Sequence, residues 1–92
     1  MIRSFRDRDT EMLAHGMRVA RFTQIESVAR RKLRQLEIAE SLSDLRIPPG
    51  NRLEALWGSR NGQFSIRVND RYRVCFRWTE AGAENVEIVD YH

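Results

Sequence analysis

The last three residues of the chain can carry out acid–base chemistry. Asp90, Tyr91 and His92 place a carboxylate, a phenol and an imidazole next to one another. These three groups can accept or donate protons, and an imidazole does so near neutral pH. Chain ends usually fray, but the apolar and acidic run at 86–89 predicts a β-strand that leads into these residues. We therefore expect a sheet to hold this end of the chain in place.

The composition is that of a small folded protein. The chain has 92 residues, of which 41% are hydrophobic and 32% are charged. This balance is typical of a globular domain and excludes a disordered chain, and we predict one domain over residues 1–92. Cys75 is the only cysteine, which excludes an internal disulfide and a zinc site built from paired cysteines. We expect neither a metal nor a cofactor.

No segment of the sequence has the pattern of a targeting or membrane-spanning element. The N-terminal residues lack the apolar run of a signal peptide, and no apolar stretch approaches the length of a membrane span. Together with the single cysteine, these features predict a cytoplasmic protein with no membrane partner.

The first half of the sequence predicts helices. Residues 2–5 fit a short strand, and residues 9–15 fit a helix that Gly16 ends. Thr23 and Glu26 have the spacing of a capping box at the start of a second helix. Apolar residues then recur at helical spacing, at Ile25, Val28, Ala29, Leu33, Leu36 and Ala39. This pattern predicts an amphipathic helix whose apolar stripe faces the core.

The second half predicts an antiparallel meander. A short turn at 41–45 and the prolines and glycine of 48–51 end the helical half. Four segments with strand character follow, separated by turns, at 52–57, 63–68, 71–78 and 85–92. We therefore predict an α+β fold, in which N-terminal helices pack on one face of a mainly antiparallel sheet of four to five strands.

Arginine is concentrated in this sheet. Lys32 is the only lysine, against fifteen arginines. Period-two alternation assigns Phe64, Ile66, Val68, Tyr72, Val74, Phe76 and Trp78 to the face under the helices. It assigns Arg67, Arg71, Arg73 and Arg77 to the opposite face. Because like charges on neighbouring strands repel, such a face favours an anionic ligand, and arginine suits phosphate and stacks on bases. The alternative is a solvated face without a ligand.

Three segments of the second half carry a resemblance to a known family. They are Gly62-Gln63-Phe64-Ser65-Ile66-Arg67-Val68, Arg71-Tyr72-Arg73-Val74-Cys75-Phe76 and the terminal Asp90-Tyr91-His92. With the order of helices before sheet, they resemble the HigB-type branch of the RelE/ParE toxin superfamily. The resemblance extends over almost the whole chain and implies the RelE-like microbial RNase toxin fold.

The resemblance implies a toxin of a type II toxin–antitoxin system. Such toxins are ribosome-dependent mRNA endonucleases that cut the message in the A site and so inhibit translation and growth. The implied partners are the ribosome, mRNA and a HigA-like helix-turn-helix antitoxin. The toxin would bind operator DNA only through this antitoxin. The implied chemistry is attack of an RNA 2′-hydroxyl on the adjacent phosphate, without a metal.

The resemblance also assigns roles to individual residues. His92 would transfer protons, and Arg73 would stabilise negative charge on the phosphate in the transition state. Tyr91 would orient the substrate or stack on a base, and Asp90 would hold His92 or Tyr91. The residues expected to bind RNA around this centre are Trp57, Arg60, Arg67, Arg71 and Arg77.

The sequence departs from the family pattern before the hairpin at 58–62. Some relatives carry a histidine and a lysine there, where this chain has Glu54 and Trp57. Glu54 is a candidate general base, with an ion pair to Arg52 or Arg73 as the structural alternative. Trp57 is a candidate for stacking on a nucleotide, with packing into the protein as the alternative.

Two other functions are compatible with these residues. A ParE-like protein of the same fold would inhibit a topoisomerase by binding alone, although the Tyr-His ending argues against it. An inactive relative would retain only antitoxin binding and operon regulation. Cleavage of mRNA at codon-linked positions separates the endonuclease from both.

Overall fold

A computed structural model describes residues 1–91. In this part of the chain, two α-helices precede a four-stranded antiparallel sheet with the strand order β1-β2-β3-β4. The helices are α1 (Arg8–Ala14) and α2 (Glu26–Ile38), and the strands are β1 (Glu54–Ala55), β2 (Phe64–Arg67), β3 (Tyr72–Thr79) and β4 (Gly82–Asp90). The predicted α+β class and the helix-then-sheet order are confirmed. Neither α-helix of residues 1–91 has the length and apolarity that a membrane span requires.

The first helix has the bounds that the sequence predicts, within one residue. Asp7 caps α1, because its Oδ2 accepts the backbone N–H of Thr10 at 3.0 Å. His15 follows the helix as its C-terminal cap. Gly16 has φ +88°, which side-chain-bearing residues rarely adopt, so the glycine lets the chain leave the helix there.

The second helix begins differently from the prediction. A 3-10 helix over Ala20–Ile25 runs directly into α2, and no side chain caps the junction. The predicted capping box is therefore wrong: the Thr23 hydroxyl donates to the Ala20 carbonyl, and Glu26 accepts a hydrogen bond from Arg30 at 3.1 Å. The apolar stripe is confirmed, since the side chains of Ala29, Leu33 and Leu36 are buried.

The N-terminal segment extends the sheet without forming a regular strand. Ile2 and Phe5 make isolated parallel bridges to Ala83 and Val86 of β4. The sequence predicts a short first strand here, and these two bridges stand in its place. The sheet therefore has four regular strands, with this segment paired along the edge of β4. The segment therefore covers the β4 edge, which would otherwise present unpaired backbone groups.

The first strand is shorter than predicted. Only Glu54–Ala55 pairs with β2, and 3-10 turns at Pro49–Asn51 and Gly58–Arg60 lie on either side. Arg52 has φ 45° and ψ 59°, a left-handed conformation that interrupts extended backbone. The predicted strand over 52–57 is therefore reduced to its centre, which carries Glu54.

The two faces of the sheet are both protected from solvent at their centres. On one face, Ile66, Val74 and Phe76 are fully buried in a core that the helices complete. On the other face, Ser65 and Cys75 are also fully buried but do not belong to that core. Long side chains cover this second face, which we call the polar face, and they form the candidate site.

Candidate nucleic-acid site

One row of side chains crosses the polar face from edge to edge. Glu54 of β1 pairs with Ser65 of β2, Ser65 with Cys75 of β3, and Cys75 with Glu87 of β4. Directly opposed residues in a sheet project from the same face. The row therefore has two small buried residues at its centre and a carboxylate at each end.

Arg73 covers one half of this row. Its Nε donates to the Ser65 hydroxyl at 2.7 Å, and its Nη2 donates to the Arg52 carbonyl at 2.7 Å. The same Nη2 lies 3.9 Å from Oε1 of Glu54. The guanidinium thus crosses from β3 over β2 to β1, and only 11% of the Arg73 side chain is exposed.

Arg60 covers the other half. It follows Trp57 in the turn between β1 and β2, and its Nη1 lies 3.2 Å from both Oε2 of Glu87 and Oε1 of Gln63. Burial opposes charging, but the hydrogen bond and the negative charge of Glu87 raise the pKa of Arg60. Glu87 also forms an ion pair with Arg6, with Oε2 of Glu87 lying 3.3 Å from Nε of Arg6. Two arginines therefore enclose the centre of the row, each next to a carboxylate.

The floor of the site is neutral. Burial raises the pKa of the Cys75 thiol to about 11, with the charge of Glu87 acting in the same direction and Arg60 and Arg73 opposing it. The thiol is therefore protonated at physiological pH, and it has neither the exposure nor the acidity of a nucleophile. Cys75 is therefore a structural residue of the sheet.

An open cleft lies beside the Arg73 half of the row. It encloses about 580 Å³ and is lined by Glu54, Ala55, Leu56, Trp57 and Tyr91. Trp57 is 82% exposed and Tyr91 is 42% exposed. Packing into the protein, the structural alternative for Trp57, is therefore wrong. Two exposed aromatic side chains and a carboxylate share one cleft, an arrangement suited to stacking on bases.

The other predicted arginines do not join this cluster. Arg67 stands opposite Arg73 in the β2–β3 register, but its guanidinium forms an ion pair with Asp70 in the adjacent turn. Arg77 lies beside Gly62, where an added Cβ would lie 2.9 Å from its Nη1. It is four residues along β3 from Arg73, about 13 Å away.

The placement of Arg71 on the same face as Arg73 is wrong. β3 begins at Tyr72, and Oδ1 of Asn69 accepts the backbone N–H groups of both Arg71 and Tyr72. Arg71 therefore lies in the turn, where strand alternation does not apply. Its guanidinium lies 5.3 Å from the ring of Tyr72, which packs edge-on against Phe22 on the helical side. It lines a separate cleft there, against the 3-10 segment Ala20–Ile25.

Comparison with known proteins identifies the family. A family model described as the RelE-like toxin of type II toxin-antitoxin system HigB matches residues 4–92. The chain belongs to the HigB-like toxin family. The resemblance stated from the terminal and strand motifs is thereby confirmed.

Two known proteins are similar to part of this HigB-like chain. A protein named Toxin HigB-1 from Vibrio cholerae serotype O1 is 51% identical over 63 residues, which cover 68% of this chain and 66% of that protein. An uncharacterized protein from Haemophilus influenzae is 36% identical over 64 residues, which cover 70% of this chain and 63% of that protein. The matched stretches span slightly less than two thirds of each relative.

The end of this HigB-like chain is held against the sheet up to Tyr91. The backbone N–H of Tyr91 donates to the carbonyl of Arg71 in the turn before β3. The Asp90 carboxylate accepts a hydrogen bond from Nε of Arg71 at 2.9 Å, which raises the pKa of Arg71. His92, the predicted proton-transfer group, lies outside the described residues.

Sequence reasoning assigns no role to three residues of the polar face. Glu87, Ser65 and Gln63 bind the two arginines and hold them in place. Alternation within 86–89 assigns the residue between Val86 and Ile88 to the face opposite the core, so this signal could have found Glu87. Among the described residues, no group of three or more histidine, cysteine, aspartate and glutamate side chains could hold a metal ion.

Proposed function

We propose that this HigB-like toxin is an endoribonuclease that cuts mRNA in the ribosomal A site. The observation that carries the proposal is the cleft beside the polar face. There the carboxylate of Glu54 lies 3.9 Å from the guanidinium of Arg73, next to the exposed rings of Trp57 and Tyr91. A base and a positive charge serve cleavage of an RNA strand, and exposed aromatic rings can bind its bases by stacking.

The proposed reaction is an internal transfer of phosphate within the RNA. Glu54 accepts the proton of a 2′-hydroxyl, and the 2′-oxygen attacks the adjacent phosphorus. The bond from phosphorus to the 5′-oxygen breaks, and an acid protonates that oxygen. The products are a 2′,3′-cyclic phosphate and a 5′-hydroxyl. Arg73 stabilises the additional negative charge that the phosphate carries in the transition state.

His92 is the proposed acid. It follows Tyr91 directly in the sequence, and an imidazolium gives up a proton near neutral pH. Asp90 is proposed to position this end of the chain, in keeping with its bond to Arg71. Tyr91 and Trp57 are proposed to stack on bases of the codon, and Arg60 to contact a phosphate.

The proposed partners follow from the same activity. The substrate is mRNA on the ribosome, so the toxin would act in the cytoplasm without a membrane partner. A HigA-like helix-turn-helix antitoxin would neutralise it, and operator DNA would be bound only through that antitoxin. Membership of the HigB-like family supports these assignments.

Expression of the toxin without its antitoxin tests the proposal. We expect growth arrest together with new mRNA 5′ ends at codon-linked positions. Glu54→Gln and His92→Ala should each relieve the arrest while the protein stays folded. Arrest without new 5′ ends would instead indicate a ParE-like inhibitor. Antitoxin binding without arrest would indicate an inactive relative.

A further inference from the structure

The carboxylate of Glu87 connects the last strand to the turn that carries the RNA-binding side chains. Glu87 lies at the centre of β4, and its Oε2 binds Nη1 of Arg60 at 3.2 Å, across 27 positions of sequence. Only 16% of the Glu87 side chain and 28% of the Arg60 side chain are exposed. A charged hydrogen bond that is largely shielded from water holds its partners more firmly than an exposed ion pair does.

Arg60 is itself part of the turn that presents Trp57. Its backbone N–H donates to the Trp57 carbonyl at 3.3 Å, within the 3-10 turn Gly58–Arg60. Its Nη1 also donates to the Gln63 side chain, where the chain enters β2. The position of the Arg60 guanidinium and the position of this turn are therefore fixed by the same contacts.

We propose that Glu87 is a positioning residue for the RNA site, acting through Arg60. It holds the guanidinium over the neutral floor at Cys75, where it can contact a phosphate of the bound message. It thereby also fixes the turn at Trp57. Glu87 would touch no RNA itself. The inference rests on the proposed function, since it assigns Arg60 a phosphate of the same substrate.

The arrangement on the other side of the row supports this role. Glu54 and Glu87 occupy the two ends of one cross-strand row, each next to an arginine. Glu54 is 57% exposed and lines the cleft, whereas Glu87 is covered. The exposed carboxylate is available to substrate, whereas the covered one binds Arg60 and Arg6. Glu54 at one end of the row therefore takes part in the proposed reaction, and Glu87 at the other end positions Arg60.

A double-mutant cycle on programmed ribosomes tests the inference. The variants are Glu87→Gln, Arg60→Ala and the combination, with Glu84→Gln as the control, because Glu84 lies on the same strand opposite Arg77. Loss of one charged contact to RNA should raise KM about tenfold with little change in kcat. Glu87→Gln should therefore raise KM alone and should add nothing once Arg60 is alanine. The control should behave as wild type.

Independent effects of Glu87→Gln and Arg60→Ala would overturn the inference, as would a Glu87→Gln variant that matches the Glu84→Gln control. If Glu87→Gln does not fold, as judged by thermal unfolding, Glu87→Asp shortens the side chain while keeping its charge, and the same increase in KM is expected. A wild-type protein that cuts no programmed message would overturn the proposed function itself. Cleavage by the wild-type protein without coupling between Glu87 and Arg60 would overturn only the inference about Glu87.

Discussion

The guanidinium of Arg73 reaches across β2 and lies 3.9 Å from the carboxylate of Glu54 on β1. Arg73 is nearly buried, whereas more than half of the Glu54 side chain is exposed. The positive charge is therefore fixed in the sheet, and the negative charge beside it faces the cleft. This relationship places a fixed cation and an accessible carboxylate next to each other, and it makes Arg73 important for folding as well as for the proposed chemistry.

Replacement of Arg73 should reduce stability as well as activity. Arg73→Ala removes hydrogen bonds to the Ser65 hydroxyl and the Arg52 carbonyl. An unpaired buried polar group costs roughly 1–3 kcal/mol, so we expect the free energy of unfolding to fall by about that amount. Urea unfolding measures it, with Arg46→Ala at an exposed position as the control. Equal stability of Arg73→Ala and wild type would contradict the assigned contacts.

Replacement of Trp57 should affect binding and leave stability nearly unchanged. The side chain is almost fully exposed, so Trp57→Ala should alter the free energy of unfolding by less than about 0.5 kcal/mol. Stacking on one base contributes roughly 1–3 kcal/mol, so affinity for a programmed ribosome should fall by that amount. Trp57→Phe, which retains an aromatic face, should restore most of it. Equal affinity of the alanine and phenylalanine variants would exclude stacking.

The Cys75 thiol should make stability depend on alkaline pH. Burial raises the pKa of this thiol from its ordinary value of 9.0 to about 11 in the folded protein. Above pH 9.0 the thiol loses its proton in the unfolded chain but keeps it in the folded protein. The free energy of unfolding therefore falls as the pH rises towards 11. The full change is roughly 2–3 kcal/mol. This loss of stability is complete only when the pH exceeds the pKa of the Cys75 thiol in the folded protein.

Comparison with Cys75→Ala isolates this contribution from other groups that titrate at high pH. Urea unfolding between pH 8 and pH 11 should show a smaller loss of stability in the alanine variant. The native thiol should also resist a water-soluble disulfide reagent at pH 8 until the protein unfolds. Rapid modification of the folded protein would contradict the burial of Cys75.

Asn51 should anchor the segment that leads into β1. Its side chain is fully buried, accepts from Nζ of Lys32 at 2.6 Å and donates to the Leu45 carbonyl at 3.1 Å. Asn51→Ala should therefore reduce the free energy of unfolding by roughly 1–3 kcal/mol. Asn61→Ala, at an exposed position, is the matched control and should have little effect. Thermal unfolding compares the two, and equal melting temperatures would refute the anchor.

Period-two alternation predicts most of the sheet because the pattern is local. It assigns Ile66 and Val74 to the core and Arg73 to the opposite face, as the structure has them. It fails for Arg71, because the side chain of Asn69 binds the backbone at that point and delays the start of β3. It also misses the shift between Cys75 and Arg77, where Asn85 of β4 takes a positive φ.

The contacts that assemble the candidate site are not local. Arg60 forms a hydrogen bond with Glu87, and Arg73 forms one with the Arg52 carbonyl. Both side chains extend across neighbouring strands of the sheet. Sequence spacing does not determine the length or direction of such contacts. For this reason the sequence predicts an arginine-rich face but not that its centre is enclosed, nor that Trp57 is left in solvent.

Cleavage of a programmed message with a single altered sugar tests the central claim most directly. Purified ribosomes are programmed with an mRNA that carries one 2′-deoxynucleotide immediately before the cut position in the A-site codon, and an unmodified message is the control. We predict cleavage of the control, with a 2′,3′-cyclic phosphate and a 5′-hydroxyl, and no cleavage of the deoxy message. Equal cleavage of both messages would contradict attack by the 2′-hydroxyl, and cleavage of neither would contradict the proposed endoribonuclease.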